Sequence, residues 1–106
     1  MHESGLVRAT VAALVDASAG RPMRTVVLAV GAGVDVDSAA AAWQAAAAGT
    51  SLAATRVEWQ RAPDRLRCFA CGLEYDGEPL DLCPSCEGTG IVITPAPELA
   101  AVDWTP

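Results

Sequence analysis

Between residues 4 and 19 the apolar positions Leu6, Val7, Val11, Leu14 and Val15 recur at helical spacing, with Thr10 among them. That pattern predicts an amphipathic helix with one face turned inward. Gly20 stands where a C-cap is expected, and Arg21-Pro22 turns the chain. The next run, Thr25 to Val30, is continuously apolar and rich in β-branched residues, which predicts a strand that is central in its sheet or covered on both faces. Gly31-Ala32-Gly33 breaks it and lacks the rest of any phosphate-binding loop, so it reads as an ordinary turn.

Asp37 or Ser38 offers an N-cap for a second helix through the alanines around Trp43, with Gly49 as its terminator. Alanine gives this helix high propensity, and Trp43 gives it one large anchor. Residues 52–60 alternate, with Ala53, Thr55, Val57 and Trp59 on one side and Ala54, Arg56, Glu58 and Gln60 on the other. A half-exposed strand follows, with Trp59 as a core residue. Residues 63–66 read as a loop. Ile91-Val92-Ile93 starts a return strand, Pro95 and Pro97 interrupt it, and residues 99–104 alternate loosely enough to rejoin the sheet.

Composition narrows the picture. The 52% hydrophobic content is inflated by alanine, and with one Phe and one Tyr the core must be thin. The formal charge of −6, with seven Lys or Arg residues, disfavours a face that grips nucleic acid. No apolar run is long enough to span a bilayer, and Met1-His2-Glu3 lacks the basic and apolar regions of a signal peptide. A cytoplasmic protein with no nucleic-acid or membrane partner is the expectation, and the alanine-rich helix makes a homodimer compatible with the sequence.

All four cysteines lie in two C-x-x-C pairs, Cys68-Phe69-Ala70-Cys71 and, after eleven intervening residues, Cys83-Pro84-Ser85-Cys86. Two such knuckles can converge four sulfurs on one tetrahedral ion, so a structural zinc site is expected. Gly72 would close the first knuckle in a left-handed turn, and Pro84 would stiffen the second. The rival readings are a pair of disulfides, which needs an oxidising compartment, and a redox C-x-x-C, which normally opens a helix in a βαβ unit. Four thiolates add −4 and one Zn²⁺ adds +2, giving −8 for the loaded chain. Four cysteines leave no open coordination position, and no nucleophile and base stand at recognisable spacing, so the chain is not expected to be an enzyme.

His2, the one histidine, follows the terminal amine directly. The amine of Met1, the His2 backbone nitrogen and the imidazole Nδ1 can close two fused chelate rings on one ion, with Glu3 adding a carboxylate. Such a flat, nitrogen-rich set suits Ni²⁺ or Cu²⁺.

Taken together, Met1-His2-Glu3, the first helix, the Val-rich strand ending in Val30-Gly31, Val34-Asp35, a second helix closing at Gly49-Thr50, and the inserted four-cysteine site resemble the hydrogenase nickel-incorporation metallochaperones, the HypA/HybF family. The resemblance covers essentially the whole chain. It implies delivery of Ni(II) for maturation of the large subunit of a [NiFe]-hydrogenase, in concert with a nickel-handling GTPase. By the same resemblance Met1, His2 and Glu3 match the nickel-binding start, Asp35 matches an acidic position near it, and Cys68, Cys71, Cys83 and Cys86 match the zinc ligands. The chain departs from the family at Gly31-Ala32-Gly33, which is shorter than the usual segment and lacks its glutamate. The expected fold is α+β: a small mixed β-sheet with two α-helices, plus an inserted four-cysteine zinc-ribbon subdomain. Residues 1–62 with 95–106 would form the nickel-binding body and 63–94 the zinc-binding subdomain, with a hinge at Ala62-Pro63 and Pro95. The alternative from another class is a zinc-ribbon protein-interaction scaffold with no second metal.

Overall fold

A computed structural model describes residues 2–106, with side chains from residue 4 onward. Two helices and six strands follow in the order α1 (His2–Ala17), β1 (Thr25–Val30), α2 (Val36–Ala47), β2 (Arg56–Arg61), β3 (Asp64–Cys68), β4 (Glu74–Gly77), β5 (Gly90–Thr94) and β6 (Leu99–Thr105). The strands form two sheets. In the first, of order β2-β1-β6, β1 is central as its apolar run predicts, parallel to β2 and antiparallel to β6. The second, of order β4-β3-β5, is wholly antiparallel and lies in the chain between the two edge strands of the first. The molecule is accordingly elongated, with extents of 52 × 27 × 17 Å.

The first sheet and the helices bury Val7 and Val11 from α1, Val26, Leu28 and Val30 from β1, and Ala39, Trp43 and Ala47 from α2. Those three α2 residues are spaced four apart and share one face, where the alanines permit close approach and Trp43 supplies the bulk. Val57 and Trp59 pack on this core from β2, as the alternation predicts.

Three local expectations are corrected. Helix α2 is capped by Asp35, not by Asp37 or Ser38: Asp35 Oδ1 accepts from the Asp37 amide at 3.0 Å, and its Oδ2 accepts from Ser38 Oγ at 3.2 Å. The tight 31–34 turn, closed by Val34 N to Gly31 O at 3.1 Å, brings the first competent acceptor into place early. The strand expected over 52–60 begins only at Arg56, because Thr50 binds Ala47 O and receives the Leu52 amide, folding 50–55 into turns with Leu52 fully buried. Residues 63–66, read as a loop, belong largely to β3. There Asp64, Leu66 and Cys68 point inward and Arg65 and Arg67 outward, a period of two disguised by its polar members.

Candidate metal centre

The two cysteine knuckles have the same backbone design. In the first, Cys68 N donates to Leu73 O at 2.8 Å and Gly72 N to Cys68 O at 3.0 Å; in the second, Cys83 N donates to Gly88 O and Glu87 N to Cys83 O, both at 2.9 Å. The residue four beyond the leading cysteine is left-handed each time: Gly72 at φ 77°, as expected, and Glu87 at φ 61°. Glu87 was not singled out from sequence, although its spacing from Cys83 repeats that of Gly72 from Cys68. In each knuckle the leading cysteine is buried and the trailing one exposed.

Strands β3 and β5 carry the knuckles together. Phe69 N donates to Thr89 O at 2.9 Å, and Leu82 bridges Thr89. Four sulfurs result, all within 4.8 Å of one another, with Cys68 and Cys86 Sγ 3.4 Å apart and Cys71 and Cys83 Sγ 3.7 Å apart. A tetrahedral ion with bonds of about 2.3 Å holds its sulfurs about 3.8 Å apart, so the cluster fits one ion. No disulfide joins the four cysteines, and a disulfide needs about 2.05 Å between sulfurs. Ser85 N points at Cys83 Sγ from 3.4 Å. Gly88 completes the cradle: a Cβ there would stand 3.1 Å from Cys68 Sγ and 3.2 Å from Cys86 Sγ.

Electrostatics within the cluster are uneven. The Cys71 backbone amide leads the hydrogen bonds that lower the Cys68 thiol to about 6, against a smaller opposing effect of burial. The Gly88 amide favours the Cys86 thiolate, yet contacts with the Cys68 and Cys71 sulfurs, together with burial, push that thiol up to about 12. Four neighbouring thiolates cannot coexist without a cation; a bound metal ion would supply the charge that lets all four ionise.

Behind the sulfurs lies a core of Leu66, Cys68, Tyr75 and Cys83. Tyr75 Oη donates to Asp81 O at 2.8 Å, and burial raises its pKa, with the Cys83 and Cys68 sulfurs adding to the effect. Gly90 is required beside it, since a Cβ there would overlap Tyr75 Oη. Gly90 was not picked out from sequence, and Tyr75-Asp76-Gly77, which reads as a turn signal, is strand in β4; the two glycines of Gly88-Thr89-Gly90 were the available signal.

Met1 and the side chains of His2 and Glu3 are outside the described residues. Asp35 caps α2, and the 31–34 loop before it lies against α1, where Leu6 and Val7 share a small crevice with Val34. The crossing expected to hinge is braced: Ala62 N donates to Val30 O at 2.8 Å, Gly31 N to Glu98 O at 3.1 Å, and Ala96 N to the Asp64 carboxylate at 2.6 Å. Among the described residues no helix is long and apolar enough to cross a membrane.

Comparison with known proteins accords with this architecture. Residues 1–103 match the family model described as hydrogenase/urease nickel incorporation, metallochaperone, HypA. A hydrogenase maturation factor HypA from Geobacter metallireducens is 29% identical over 102 residues, covering 93% of each chain. The solution structure of the Ni metallochaperone HypA from Helicobacter pylori superposes with a TM-score of 0.63 at 16% identity, over 97% of this chain and 95% of that one. A second HypA solution structure gives 0.64 at 17% identity, over 99% and 95%. With its mixed sheet, two helices and four-cysteine metal site, the chain belongs to the HypA family of nickel-incorporation metallochaperones.

Proposed function

We propose that this chain carries Ni(II) to a [NiFe]-hydrogenase during maturation, and that its four-cysteine site holds zinc as a structural ion. The observation that carries the reading is the four-sulfur cluster inserted into a chain that matches the nickel-incorporation family over residues 1–103. A purely thiolate, closed tetrahedral set suits zinc and leaves no position for chemistry. Nickel would sit at the opposite kind of site: the Met1 amine, the His2 backbone and imidazole nitrogens, and the Glu3 carboxylate at the chain terminus, whose ligands a partner can replace one at a time. Asp35 would contribute negative potential there, because both its oxygens already accept hydrogen bonds in the α2 cap. In this reading residues 1–62 with 95–106 form the nickel-binding body and 63–94 the zinc-binding subdomain. A nickel-handling GTPase and the hydrogenase large subunit are the partners, in the cytoplasm.

Calorimetric titration of zinc-loaded protein with an authentic Met1, beside His2→Ala, tests this. About one nickel per chain is expected for the parent and none for the variant, with zinc content equal in both. Matching titrations would leave a zinc-bearing interaction scaffold as the better account.

A further inference from the structure

Asp64 is a buried carboxylate with half of its capacity in use. The residue is 8% exposed, and one oxygen accepts from Ala96 N. Among the described residues the second oxygen has no hydrogen-bond or ion-pair partner. Nor is it sealed: the one enclosed side-chain polar atom without a partner there is Ser51 Oγ, so the second Asp64 oxygen opens to solvent. Asp64 lines a cleft of about 270 Å³ at the junction of the two sheets, together with the 31–34 loop, Pro79 and Pro95.

Apart from Asp64 and Glu98 the lining residues are glycine, alanine, valine and proline, so the cleft pairs apolar sides with carboxylates. A largely buried carboxylate is costly unless a cation or several donors satisfy it. Arg61 does not serve here, because its guanidinium donates to Gly31 O at 2.6 Å and Val34 O at 2.9 Å, holding the loop that forms the wall. A lysine or arginine arriving from outside would lay its methylene stem along the apolar walls and bring its head group to Asp64. The net charge of −6 draws basic surfaces towards the chain.

We propose that this cleft receives one lysine or arginine side chain of a partner protein, with Asp64 as its counter-ion. This places the partner across the junction, in contact with both sheets.

Amide NMR titration of the zinc-loaded full chain tests the proposal, with N-acetyl-arginine amide and N-acetyl-lysine amide as probes and neutral N-acetyl-citrulline amide as control. Saturable shifts are expected at the amides of Gly31, Gly33 and Ala96 with the cationic probes and not with citrulline. Asp64→Asn keeps an oxygen for the Ala96 amide and removes the charge, so binding should weaken about tenfold or more. Ala32→Leu narrows the cleft while leaving Asp64 in place, and should weaken binding as well. Should Asp64→Asn disturb the junction, as its own Ala96 shift would reveal, Ala32→Leu decides. Absence of localised saturable shifts, equal response to citrulline, or unchanged affinity in the deciding variant overturns the proposal.

Discussion

The two sheets are held together by different means. The first, with α1 and α2, closes around Trp43, Leu28, Leu52, Val7, Val26 and Val30, all nearly or fully buried. The second closes around Leu66, Tyr75 and two thiols, and leaves Phe69, Leu73, Leu80, Leu82, Ile91, Val92 and Ile93 exposed. About 30 residues cannot bury enough apolar surface to fold alone. An ion at the four-cysteine site would take the place of hydrophobic burial in the second region, and the lesson is that apolar content says little about stability unless the residues meet.

The largest break in that contrast should come from Cys83→Ser, which removes a fully buried ligand. Loss of zinc stoichiometry and of the β3, β4 and β5 amide resonances is expected, reflecting metal binding worth on the order of 10 kcal/mol. Trp43→Ala attacks the other side: a cost of about 3–5 kcal/mol in denaturant unfolding of the first sheet, with one zinc still bound. Gly90→Ala forces Tyr75 aside and should lower the stability of the second region by about 1–3 kcal/mol, read by zinc competition with a chelator.

Acid sharpens the contrast further. In the metal-free chain the lowered Cys68 pKa favours the fold fully above its ordinary value near 9, and this is lost as pH falls through about 6. Cys86, raised to about 12, works in the opposite sense, favouring the fold below 9 and losing that as pH rises through 12. Metal must displace the Cys86 proton, so zinc affinity should rise with pH across the neutral range, with proton release measurable by calorimetry in buffers of different ionisation enthalpy. Bound metal resists protonation, so zinc should leave only below the pH at which Cys68 takes its proton, about 6. The smallest effect belongs to Glu87→Gly, which removes a left-handed non-glycine residue and should stabilise the zinc-loaded region by about 1 kcal/mol in thermal unfolding.

Much of the fold was legible where pattern and packing agree. Strand β1 ran over the predicted residues because its apolar run meets α1 and α2 on one face and sits between two strands. The knuckles were legible because metal-ligand spacing is a local property. What escaped was set by partners distant in sequence. Strand β3 looked like a loop because its inward Asp64 is answered by Ala96, 32 residues away. The α2 cap was misplaced because the 31–34 turn decides which of several adequate acceptors comes first. Gly90 and Tyr75 acquire meaning only against each other.

One measurement reaches the central claim, that metal holds the second region and burial the first. Amide spectra would be recorded before and after zinc is removed with a chelator under reducing conditions. Collapse of the β3, β4 and β5 resonances is predicted, while those of β1, β2, β6 and α2 keep their dispersion and Trp43 stays protected from exchange. Uniform collapse, or a second sheet that survives without metal, would contradict the account.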